Sequence, residues 1–155
     1  MTGPADRFEH RHTVAFAETG LCGTADYVNY LHWQGRCREM FLRGARLEAA
    51  ADGGPSEVRL FTLQVECELL EAVVALDRLT VRMGVAELGH TQFDLTFDYV
   101  KETAEGDVPV ARGRQRVACL TGPDTAPVPA LIPEALAHAL APYAAATRPR
   151  AGRQT

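Results

Sequence analysis

The chain has 155 residues, 46% hydrophobic and 23% charged, with a formal net charge of -4. That make-up fits one globular domain with a real core and excludes an intrinsically disordered chain. The acidic balance, with no Lys/Arg cluster interleaved with aromatics, gives no support to nucleic-acid binding, and no apolar run approaches the ~20 residues of a membrane span.

The first residues, MTGPADRFEHRH, carry acid and histidine where a secretory signal needs an apolar run, so a cytoplasmic location is expected. Phe8 to Phe16 (FEHRHTVAF) reads as a first strand with Val14 and Phe16 as its clearest apolar positions. AETGLCGTAD follows as a loop, and Asp26 stands where a helix N-cap would. YVNYLHWQGRCREMFLR then runs with helical periodicity to a stop at Gly44, and Ala50 to Ser56 (AADGGPS) is a turn-rich connection.

Beyond it the period changes to two. Glu57–Leu70, Leu79–Leu88, Gln92–Glu102 and Val110–Leu120 read as strands, most clearly in Leu79-Val81-Met83-Val85 and Phe93-Leu95-Phe97-Tyr99. A short helix is expected over Pro133 to Tyr143, and residues from Thr147 read as a loose tail, so the domain is expected to span 1–146. One long helix followed by antiparallel strands is an α+β order in which the sheet must cover the helix.

The helix holds the informative residues. At about 100° per residue, Tyr27, Tyr30, Leu31, Trp33, Cys37, Phe41 and Leu42 share one face, with Asn29, His32, Arg36, Glu39 and Arg43 opposite. Gln34 and Arg38 fall inside the apolar stripe. A buried guanidinium requires a partner, a wet pocket or a ligand, and spacing does not choose between an ion pair that pins the fold and a functional cation. Gln34 reads as a satisfied core amide unless it faces the same pocket. The start of a helix after a glycine-containing loop offers free N–H groups to an anion, including the oxyanion of an attacked thioester.

Other residues have plainer readings. Glu18 reads as a solvated loop carboxylate, Asp26 as an N-cap, and Tyr30 as core. Cys22 has no histidine placed for nucleophilic catalysis, while the Thr24 hydroxyl could hold a water. Thr62, on the strand after the helix, could reach a pocket from a neighbouring subunit. Arg36, Arg43 and Arg46 could meet an acidic partner, although exposed charge ordinarily serves solubility. The four cysteines form no CxxC pair and the five histidines show no metal spacing, so no metal is expected.

VAFAETGLCGTADYVNYLHWQGRCREMFL resembles the opening of the hotdog-fold thioesterases. The segments WQGRCRE and ALDRLTVRM sharpen the likeness to the thioesterases of enediyne polyketide biosynthesis, over roughly Phe8 to Tyr143. The resemblance implies a hotdog fold, with a long central helix wrapped by a five- or six-stranded antiparallel sheet and a short C-terminal helix. It implies a homodimer or homotetramer with sites at subunit interfaces and no cofactor. It also implies hydrolysis of a β-keto polyene thioester carried on the phosphopantetheine of a polyketide synthase acyl carrier domain, to a β-keto acid that can lose carbon dioxide. Arg38 matches the family's pocket arginine, Tyr30 a pocket-lining helix tyrosine, and the Tyr27 N–H the oxyanion donor. Gly23 matches a loop glycine. The departure is Gly20, where the wider family carries aspartate and the enediyne group asparagine; Thr24 and Ala25 differ too. A polyene-binding protein of weak catalytic power and a general acyl-CoA thioesterase are the alternatives.

Overall fold

A computed structural model of the chain describes residues 6–45 and 58–144. The expectations for the turn-rich connection at 50–56, for Arg46 and for the tail from Thr147 lie outside those residues.

The long helix, α1, spans Tyr27–Gly44. It buries Tyr30, Trp33, Gln34, Cys37 and Phe41, a stripe at i, i+3, i+4, i+7 and i+11 that faces the sheet. Each large apolar side chain on that stripe contributes roughly 1.5–3 kcal/mol by leaving water. Tyr27 and Leu31, expected on the same face, are 67% and 38% exposed. The sheet curls over the middle of the helix and leaves its first turn uncovered.

Six antiparallel strands follow the period-two pattern: β1 Phe8–Thr13, β2 Arg59–Leu69, β3 Arg78–Leu88, β4 Gln92–Thr103, β5 Gly106–Thr121 and a two-residue β6 Val128–Pro129. Their order is β1-β3-β4-β5-β2, with β6 paired to β5, so β1 and β2 are the sheet edges. Facing pairs Val81–Tyr99, Met83–Phe97 and Val85–Leu95 point at the helix and are all buried. A register shift between Thr62 and Gln64 leaves Leu63 as an extra residue in β2. A second helix, α2 (Glu134–Ala144), closes the far end of the core through Leu136 and Leu140, and Tyr143 packs edge-on against Phe41.

The β1 expectation ran three residues too far. Pairing ends at Thr13, Val14 is buried and bonded to the β2–β3 connection, and Phe16–Glu18 form a single 3-10 turn. Phe16 is 72% exposed, not core. The short β6 had no period long enough to reveal it. Among the described residues no helix is long and apolar enough to cross a membrane, no cluster of three or more His, Cys, Asp or Glu is placed to hold a metal, and the four cysteines are unbridged.

Candidate active site

The buried face of α1 carries a polar thread. The Arg38 Nη1 donates to Thr62 Oγ1 at 2.8 Å and to Gln115 Oε1 at 3.0 Å. The Gln115 amide donates to Gln34 Oε1 at 3.1 Å, and Gln34 Nε2 donates to the Glu66 carbonyl at 3.0 Å. Gln34 and Gln115 are 0% and 3% exposed, so each amide makes the bonds its burial demands. Gln34 is thus the satisfied core amide expected, and it is also joined to Arg38.

No carboxylate among the described residues pairs with Arg38, and its Nε and Nη2 have no partner among them. Burial alone lowers the pKa of this half-buried guanidinium, since desolvation opposes its charge. A cation held by two neutral oxygens, with donors left over, is an anion or carbonyl receptor. Thr62 reaches this cation within the same chain.

Gln115 was missed, although the signal was present. On β5 the helix-facing positions are Ala111, Gly113, Gln115, Val117 and Cys119, and a glutamine in that parity is as anomalous as Arg38 on the helix. Gly113 has a local reason: a Cβ there would run into the Gln34 side-chain amide.

Tyr30 is 2% exposed and packs against Trp33 and Tyr99 at ring-centroid distances of 4.9 and 5.9 Å. Burial raises its phenol, helped by Cys67 and Asp77. Its hydroxyl has no hydrogen-bond partner among the described residues, whereas Tyr99 donates to the Tyr30 carbonyl at 2.6 Å. Cys37 is pushed up to about 12 by burial and stays a thiol. Cys22 is exposed at the loop tip.

The start of α1 is open. Asp26 occupies the N-cap with φ -69° and ψ 139°, but its side chain makes no capping bond, contrary to expectation. Its backbone carbonyl accepts from Asn29 N–H, leaving the N–H groups of Tyr27 and Val28 without a described partner. The preceding strap is a narrow hairpin: Thr19 bridges Ala25, Gly20 N–H donates to the Thr24 carbonyl, and Gly23 N–H donates to the Gly20 carbonyl. Thr24 bridges Val74, and its hydroxyl has no described partner.

The two strap glycines differ physically. Gly23 has φ +80°, which L side chains rarely adopt, so Gly23→Ala should cost about 1 kcal/mol or more. Gly20 has no positive φ, and a Cβ there meets nothing within 4 Å. Gly20→Asn should therefore fold with stability within about 0.5 kcal/mol of the parent, read by urea midpoints of the two variants. A large loss at Gly20 would show that the strap is more constrained than its geometry indicates.

Glu18 is not a solvated carboxylate. Its Oε1 accepts from Ala15 N–H at 2.8 Å and lies 2.7 Å from His12 Nε2, while Oε2 accepts from the Trp33 indole at 2.7 Å. Burial alone would raise this carboxyl, but the Ala15 N–H, His12 and Trp33 outweigh it and hold the group below the usual glutamate range. A carboxylate held this way is a poor proton acceptor.

Tyr27 and Arg38 are eleven residues apart on one helix, which the helical rise makes about 16 Å. That separation is too long for both groups of one chain to act on the same β-keto thioester, whose two oxygens sit on carbons one methylene apart.

No family model matches the chain, and neither does any curated protein. Solved structures do. A dynemicin thioesterase, whose crystal structures reveal induced-fit and allosteric effects upon polyene binding, is 35% identical over 89% of this chain and 97% of that one, with a TM-score of 0.81. A thioesterase-superfamily protein from Jannaschia sp. CCS1 is 23% identical over 85% and 79%, TM-score 0.71. A mutant 4-hydroxybenzoyl CoA thioesterase in complex with 4-hydroxybenzoyl CoA is 13% identical over 88% and 99%, TM-score 0.75. The last two likenesses bear on the fold alone.

Proposed function

Since the chain belongs to the hotdog-fold thioesterases, we propose that it hydrolyses a β-keto polyene thioester carried on the phosphopantetheine of a polyketide synthase acyl carrier domain. The observation that carries this reading is Arg38, a half-buried guanidinium with no described carboxylate partner and with two nitrogens unengaged. The polyene bound by the 35%-identical dynemicin thioesterase favours an extended unsaturated acyl chain.

The mechanism is direct attack by water. A C–O bond forms at the thioester carbonyl, and the oxygen that becomes negative is held by the Tyr27 N–H at the open helix start. Arg38 holds the β-keto oxygen. Collapse breaks the C–S bond, the pantetheine thiolate takes up the proton that the attacking water gives up, and a β-keto acid leaves. That acid can lose carbon dioxide to give a methyl ketone. Thiolate is a good leaving group, which is why a loop with glycine at position 20 can suffice without a carboxylate base.

The helical separation of about 16 Å supports a composite site, in which one copy supplies the Tyr27 N–H and a second supplies Arg38 with Thr62 behind it. The assembly is a homodimer joined at the β2 edge and the open turn of α1. Support comes from apolar side chains facing solvent there. Phe61, Leu63 and Val65 on β2 are 55%, 52% and 43% exposed, and Leu21 and Tyr27 beside the helix start are fully and largely exposed. A homotetramer would be two such dimers.

Gly20 favours a second reading, a protein that binds the polyene and turns it over slowly. Incubating the chain with carrier domain loaded with a β-keto polyene separates the two. Release of free acid or methyl ketone over many turnovers supports the hydrolase. Tight binding with the thioester intact supports the binder. Equal turnover of simple acyl-CoA thioesters would point to a general thioesterase instead.

A further inference from the structure

Glu18 lies outside every group assigned above, yet it is the most heavily bonded residue at the helix start. Besides the three donors on its carboxylate, its backbone carbonyl accepts from Asp26 N–H at 2.9 Å and from Asn29 Nδ2 at 2.7 Å. Those five donors come from β1, the 3-10 turn, the end of the strap and the first two turns of α1. The strap from Thr19 to Ala25 is therefore a closed hairpin whose two feet are fixed through one residue. The Glu18 carboxylate opens on a groove of about 700 Å³ between β1 and α1, lined also by His10, His12, Trp33 and Arg36.

We propose that Glu18 is a positioning residue that sets where the Tyr27 N–H and the Gly20 strap stand relative to the thioester. The inference rests on the reading of Tyr27 as oxyanion donor. A full carboxylate is required because the Ala15 and Trp33 groups that bind it are N–H donors with no accepting capacity. A glutamine of the same size would set its NH2 group against one of them. Removing the carboxylate frees the first turn to drift, and a displacement of about 1 Å is enough to cost ~100-fold in rate.

The charged and titratable neighbours around the groove are His10, Arg11 and His12 from β1 and His32, Arg36 and Glu39 from α1. Because the Glu18 carboxyl is held below its usual range, the anchoring is complete above about pH 4.3 and is lost as pH falls through the lowered value.

The test compares parent and Glu18→Gln as full-length chains on a β-ketoacyl N-acetylcysteamine thioester, with amide hydrogen exchange followed in parallel. The expected result is kcat lower by about 10- to 100-fold with KM within about twofold, and faster exchange at the Gly20, Gly23 and Asp26 amides while β3 and β4 stay protected. An unchanged kcat overturns the proposal, and so does a loss confined to KM. A parent that hydrolyses no thioester sinks the hydrolase reading by itself. Exchange then decides for Glu18, with unaltered strap protection rejecting the anchoring role and a loosened strap upholding it. Should Glu18→Gln fail to fold, Glu18→Asp, which keeps the charge but shortens the reach, carries the same comparison.

Discussion

Arg38→Met is expected to lower kcat/KM for the carrier-bound thioester by about 100-fold and to leave the chain no less stable than the parent. The first half follows from the loss of a charge-assisted donor in a half-buried site, roughly 3 kcal/mol in the transition state. The second follows from the absence of a described counter-ion. Breaking a buried ion pair ordinarily costs about 3–5 kcal/mol, because it strands the surviving charge. Here the partners of Arg38 are the Thr62 hydroxyl and the Gln115 amide, which are neutral. Removing the guanidinium strands two oxygens at about 1 kcal/mol each and releases the desolvation cost of the cation. A urea midpoint at or above that of the parent, with activity gone, is the signature of a cation kept for function. A drop of several kcal/mol would mean that Arg38 pins the fold, and the proposed chemistry would lose its main support.

Tyr27→Pro is expected to cost about 100- to 1,000-fold in kcat, with little effect on folding. Proline is well suited to a first helical position, where its missing N–H breaks no helical bond. Asp26, with φ -69° and ψ 139°, already has the extended backbone required before proline. The 67%-exposed Tyr27 ring contributes little to the core. Within one chain the variant therefore deletes one hydrogen-bond donor and an exposed ring that faces the proposed seam, so Tyr27→Ala, which keeps the N–H, is the control for dimer formation. Mixing it with Arg38→Ala should then restore activity. In a mixed dimer one site keeps both intact contributions and the other loses both, so random exchange returns about a quarter of the parental rate. If each chain housed a whole site, mixing would return nothing.

Much of the architecture was legible from period alone. The α1 stripe from Tyr30 to Phe41 and the alternations along β3 and β4 are long enough that burial could follow no other pattern. What was not legible depended on contacts across the chain. Phe16 looked like strand core, but the turn closed by Glu18 on Ala15 N–H takes it out into solvent. Glu18 looked solvated because its donors lie on three different elements. Asp26 stands at the N-cap, yet sequence could not show that its side chain makes no bond there.

The site divides the same way. Arg38 and Gln34 announced themselves as polar residues in an apolar stripe, while Gln115 and Gly113 needed the strand parity to be read with equal care. The distance between Tyr27 and Arg38 was available from residue numbers and helical rise throughout. It became informative only when both were asked to serve one substrate.

Gly113 and Gln34 fit together as a slot and a key. Because the amide of the helix fills the space where any other residue would carry a carbon, α1 lies close against β5 and leaves no room between them at that point. In the proposed dimer a longer acyl chain would therefore find its room by other means, through displacement of the strap or of the second copy. On the proposed dimer, size tolerance would be set at the seam between the two copies, and variants that widen it should be sought there.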